Sequence, residues 1–169
     1  MKNGSESKAK LLKTRIDLPE AARRTVVDLL NQQLANLSDL FSQTKQAHWN
    51  VMGPQFWSLH KLFDELAGKV VEQTDEIAER ATALGGVAQG TVRMAAANSK
   101  LTEFPSGISA GMDVVKAVAD AFGAVANSLR AAIDVADEQG DALTADLFTQ
   151  IARELDGSLY FLESHLNGE

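Results

Sequence analysis

The chain has 169 residues, a net charge of −7, 45% hydrophobic and 23% charged residues, and no cysteine. That is one domain's worth of chain with the mix of a soluble globular protein, and the missing cysteine excludes disulfides and thiolate metal ligands, so any metal must be held by oxygen and imidazole. No apolar run approaches the roughly 20 residues of a membrane helix, and Met1 to Lys13 lacks the apolar stretch of a signal peptide, so the expected location is the cytoplasm, away from any membrane.

The first 16 residues carry Lys2, Lys8, Lys10, Lys13 and Arg15 against Glu6 alone, whereas the remainder holds 11 basic and 22 acidic residues. The expected division is therefore a flexible basic tail over 1–16 and a folded, acidic body over 17–169. Such a tail attracts DNA, or is simply solvated. From Pro19, which suits a first helical turn, Val26, Leu29, Leu30, Gln33, Leu34, Leu37, Leu40 and Phe41 recur at three and four. This predicts one long helix to about Asn50, broken by Met52-Gly53-Pro54. A second stripe runs from Phe56 through Leu59, Leu62, Phe63, Leu66, Val70, Ile77 and Ala81 to Leu84, and Gly85-Gly86 ends it. Residues 85–106 read as a long crossover with a short helical piece near Val92 to Ala97. A third long helix is expected from Ile108 to Glu138 and a fourth from Asp141 to Leu166. Four long helices joined by one long central connection describe an all-α, ferritin-like four-helix bundle.

Three histidines are present. His165 reads as structural. His60 and Asp64 are four residues apart on the second helix, and so are Asp75 and Glu79, which puts all four on one face. His60 and Glu79 lie about 28 Å apart along the axis, too far for one metal centre. If two copies of this helix pack antiparallel about a two-fold axis between Lys69 and Val70, His60 meets Glu79 of the partner subunit and Asp64 meets Asp75 of the partner subunit. The two halves then complete each other twice, at sites about 22 Å apart, and the helices are expected to cross near the small residues Ala67 and Gly68. His48, at the turn into the second helix, reaches the His60 end. Two imidazoles and three carboxylates suit iron or manganese, with zinc able to compete; the rival reading is an ion-pair face or a structural zinc clip.

The segment Lys45-Gln46-Ala47-His48-Trp49-Asn50, the Gly53-Pro54 break, His60 with Asp64, Asp75 with Glu79-Arg80, and Leu84-Gly85-Gly86 together resemble Dps, the DNA-binding protein of starved cells. The resemblance runs over nearly the whole chain. It implies a hollow dodecamer built from two-fold dimers, with ferrous iron oxidised at the dimer interface by hydrogen peroxide or dioxygen and ferric mineral stored inside. It assigns His48, His60 and Asp64 to one subunit and Asp75 and Glu79 to its partner. It also gives Trp49 a redox role beside the metal and makes the acidic run Asp137, Glu138, Asp141 and Asp146 a three-fold pore for incoming iron. Helix capping is the plainer reading of Asp141. Trp57 lies within the same motif but outside the family pattern; core packing is its expected role, and near the metal it would be a second oxidisable ring. A nucleoid-compacting cage with little iron chemistry is the alternative function. A conventional ferritin is disfavoured, because no Glu precedes a His by three residues; a partner-binding helical module predicts no iron chemistry at all.

Overall fold

The computed structural model describes residues 10–167. Among these, five helices form: α1 (Glu20–Asn50), α2 (Phe56–Ala83), α3 (Val92–Asn98), α4 (Gly111–Glu138) and α5 (Ala142–Leu166). The long helices pack as two hairpins, α1 with α2 and α4 with α5, which meet chiefly through α1 and α4. The apolar stripes converge on one core that includes Phe63, Phe122 and Phe148, all fully buried among leucines. Truncating any of these rings to Ala costs about 3–5 kcal/mol. No helix among the described residues is long and apolar enough to cross a membrane.

The helix ends explain the connections. Glycine closes both α2 and α4 with the same pair of hydrogen bonds: Gly86 N donates to Ala81 O and Gly85 N to Thr82 O, as Asp141 N does to Ala136 O and Gly140 N to Asp137 O. Gly85 and Gly140 take positive φ values of 84° and 77°, which this closure requires. At Gly85 a Cβ would also stand 2.5 Å from Leu12 O. That close approach is where the chain's beginning is fastened. Leu12 N donates to Gly85 O at 2.7 Å, and buried Arg23 donates to Leu84 O and Leu12 O. Leu11 packs against the core beside it. The body therefore takes hold of the chain at Leu11, earlier than the division expected at residue 16. Lys10, Lys13 and Arg15 are exposed on this segment; Lys2 and Lys8 lie outside the described residues.

The crossover returns the chain from the far end of α2 to the start of α4, where Met52 N donates to Ser109 O. This contact holds 109–110 out of the helix, so α4 begins at Gly111, three residues later than the apolar pattern suggests. A row of polar side chains on α1 binds the crossover backbone. Asn31 pairs with Val87 O and Gln89 N, Gln32 with Asn98 O, Asn36 with Lys100 N, and Gln43 with Thr102 O. Asp39 accepts from the Ser99 hydroxyl.

Candidate metal centre

The α1–α2 hairpin brings His48 and His60 face to face. Their rings stack with centroids 3.8 Å apart and planes 20° apart. Each donates its Nδ1 proton to the other's backbone: His48 Nδ1 to His60 O at 2.7 Å, His60 Nδ1 to His48 O at 2.8 Å. A carbonyl can only accept, so Nδ1 carries the proton in both rings. Nε2 is therefore the nitrogen that each ring can offer a metal, and both rings are fixed in orientation.

Asp64 stands one turn along α2, with Oδ1 3.9 Å from His48 Nε2. The same oxygen accepts from Lys45 Nζ at 2.7 Å. That hydrogen bond holds the Asp64 carboxyl below the usual carboxylate range, against some desolvation; the charges of Lys45, His48 and Lys61 add to it. A cation thus already sits on this carboxylate, and it is the chain's own. Lys45 is three residues before His48 on α1, a signal that the sequence carried and that spacing rules for metal ligands overlook.

Asp75 and Glu79 are exposed near the other end of α2, and neither side chain has a hydrogen bond or ion pair among the described residues. Around them the negative charge is dense. Burial first, and then the charges of Glu154, Glu72 and Asp75, push the carboxyl of Glu76 up. Among the described residues no three His, Asp or Glu side chains gather as a metal-binding group within one chain. His48 meets His60 on one side and Asp64 on the other; Asp75 and Glu79 stay apart from them along an unbroken helix.

The face of α2 that carries these residues is open. Gly68 is exposed, with nothing within 4 Å of where a Cβ would be. Val71 and Glu72 follow it on the outside. Ala67, expected at a helix crossing, is only 2% exposed and faces the chain's own core, so of the two small residues only Gly68 opens outward. Beside this face an open groove of about 1340 Å³ runs between α1, α2 and the crossover, lined by Trp49, Val71, Asp75, Val92 and Phe104 among others.

Trp49 is 66% exposed and lies near Lys45. Trp57, expected in the core, is 67% exposed and rests beside the His60 ring. The first turn of α2 projects beyond the end of the core, so a bulky side chain there has nothing to enter. His165 Nδ1 donates to Phe161 O, one turn back on α5, a local structural bond.

At the α4–α5 turn Asp137, Glu138 and Asp146 are exposed. Asp141 is 2% exposed and caps α5. It accepts from Thr144 N and from the Thr144 hydroxyl, and pairs with Arg80 Nη2 at 2.8 Å. Arg80 Nε also donates to Thr144. The carboxylate is thus fully engaged within the chain, which is the capping role. Arg80 follows Glu79 directly, so this buried pair also braces the Glu79 end of α2.

Residues 27–168 match the family model described as a ferritin-like domain. A protein of Agrobacterium fabrum named "DNA protection during starvation protein" is 46% identical over 91% of this chain and 95% of its own length. Among solved structures, an archaeal Dps homologue from Halobacterium salinarum superposes with a TM-score of 0.89 at 27% identity, over 99% of this chain and 94% of that one. A Dps protein from Bacillus brevis matches with a TM-score of 0.82 at 32% identity, over 92% and 99%.

Proposed function

The chain belongs to the Dps family of ferritin-like proteins, and on that premise we propose that it is a cytoplasmic ferroxidase and iron-storage cage, active only when two copies pair. In this reading His48, His60 and Asp64 of one subunit, with Asp75 and Glu79 of the partner subunit, bind ferrous iron as substrate. The single observation that carries it is the unequal furnishing of α2. One end offers the Nε2 atoms of two oriented imidazoles, the other two carboxylates without a side-chain partner among the described residues, and the exposed face between them is self-complementary. The groove beside that face gives a second copy somewhere to lie.

Carboxylates stabilise the ferric product more than the ferrous substrate, because the higher charge gains more from anionic ligands. Two ferrous ions give one electron each to hydrogen peroxide, which becomes water without releasing hydroxyl radical; dioxygen is the alternative oxidant. Zinc or manganese competes for the same donors. Exposed Asp137 and Asp146 steer incoming cations, while Asp141 remains a cap. The oxidised iron is stored in a dodecamer assembled from the two-fold pairs.

The test is ferrous titration with and without peroxide, with the assembly sized in parallel. Fast peroxide-dependent oxidation is expected, lost in Asp64→Asn and Asp75→Asn while the oligomer persists. Unchanged rates in both variants would defeat the site.

The basic segment favours a second activity, DNA retention, in keeping with the name of the Agrobacterium relative. Deleting residues 1–13 is expected to abolish salt-sensitive DNA retardation and leave iron oxidation intact; a full-length protein that never retards DNA at low salt refutes it.

A further inference from the structure

The proposed reaction has no use for Trp57, yet it is the indole that stacks on a candidate ligand, beside the Phe56 ring at 5.2 Å. The indole centroid lies 6.5 Å from that of His60, with the planes 25° apart. His60 stacks in turn on His48. The three rings form one pile, from an exposed indole to both imidazoles. Trp49, the tryptophan singled out by family resemblance, makes no ring contact with either histidine among the described residues. The chain has no cysteine and a single tyrosine, Tyr160, which lies on α5. Near the histidines, indoles are therefore the side chains that most readily give up a single electron; methionine such as Met52 reacts with peroxide by two.

One electron balance remains open in the reaction. Peroxide takes two electrons to become water. A single ferrous ion supplies one, and one-electron reduction of peroxide liberates hydroxyl radical. The paired site lies about 22 Å from its twin, so a ferrous ion there does not help.

We propose that Trp57 is an electron relay that supplies the second electron when only one ferrous ion is bound. This rests on the ferroxidase reading above. One ferrous ion, the Trp57 indole, one hydrogen peroxide and one proton give one ferric ion, a neutral tryptophanyl radical and two waters. The O–O bond breaks, iron and indole each lose one electron, and peroxide gains both. The indole N–H proton leaves to solvent; in the single chain the ring is 67% exposed. Lys61 Nζ, 4.9 Å from the ring centroid, opposes a cationic radical and so favours that loss. The next ferrous ion returns an electron and a proton is taken up, which restores the indole. The sum is the ordinary oxidation of two ferrous ions by one peroxide.

The experiment uses the assembled full-length protein, as wild type, Trp57→Phe and Trp49→Phe. Each is mixed with one ferrous ion per subunit and excess peroxide, frozen rapidly for electron paramagnetic resonance, and in parallel spin-trapped for hydroxyl radical. Trp57→Phe keeps an aromatic ring, so packing is preserved. The expected result is a tryptophanyl radical in wild type and Trp49→Phe. In Trp57→Phe that signal is lost and trapped hydroxyl radical rises, while oxidation with two ferrous ions per subunit is unchanged. A wild type that oxidises iron without any such radical, or a signal that survives Trp57→Phe, overturns the relay and leaves the ferroxidase reading standing. A wild type that fails to oxidise iron with peroxide overturns both.

Discussion

At the His60 end of α2 every candidate ligand is held by its own chain. His60 and His48 exchange hydrogen bonds, and Asp64 is bonded to Lys45. At the Glu79 end, Asp75 and Glu79 point outward unpaired amid like charge, and the support comes from behind, where Arg80 meets Asp141. A preorganised half and an unsatisfied half on one helix are what a shared site needs. The first sets geometry; the second supplies charge that a single chain leaves uncompensated. Neither half gathers three metal-binding side chains among the described residues, and under the proposed function their inequality is the reason for two copies to pair.

Four substitutions probe this contrast, from the largest effect down. Asp141→Ala removes the brace behind Glu79, unpairs Arg80 and uncaps α5, and chemical denaturation is expected to register a loss of about 3–5 kcal/mol. Stability equal to wild type would mean that the Glu79 end needs no brace. The double variant Asp75→Asn, Glu79→Gln should leave the bundle's own stability untouched, since neither side chain has a partner to lose. Peroxide-dependent iron oxidation, followed by ferric absorbance, should fall by about 100-fold or more, at or beyond the upper end for loss of a supporting residue.

Lys45→Met frees Asp64 and makes the prepared end resemble the open one. Ferrous binding measured by calorimetry is expected to tighten by no more than about 5-fold, the small effect of an exposed pair; weaker binding would show that Lys45 orients Asp64 rather than blocking it. Glu76→Gln relieves crowding at the open end. A carboxyl raised on folding stabilises the native state only while protonated. That advantage is complete below the ordinary value of 4.5 and fades as pH rises through the folded value. Glu76→Gln should therefore melt slightly above wild type at pH 7, by no more than about 0.5 kcal/mol after solvent screening, with the gain gone below pH 4.5. A gain that persisted in acid would point to packing instead of charge.

Most of the architecture was legible because its causes are local. Apolar spacing located all four long helices, and Gly85-Gly86 and Gly140 marked the ends of two of them. The start of α4 was misplaced because Met52 binds Ser109 across the fold, and no pattern within 108–111 announces that. On α2 the spacing of His60, Asp64, Asp75 and Glu79 told which residues share a face. It did not tell Ala67 from Gly68, where one step of about 100° separates core from solvent. Trp57 lies outside the core for a related reason: its place on the wheel is ordinary, and only the distance from the core's end leaves it exposed. The reciprocal imidazole bonds join different helices and had no trace in the sequence, whereas Lys45, on the same helix as His48, did.

The polar row along α1 has a further consequence. The crossover that it binds consists mostly of non-repetitive chain, whose amides and carbonyls find their mates on side chains of another element instead of on themselves. Its path is therefore inscribed on its neighbour: Asn31, Gln32, Asn36, Asp39 and Gln43 act as a mould, and the connection is the casting. Changing the length of the loop without recutting the mould would strand donors and acceptors in pairs, so the two stretches should be altered together or left alone.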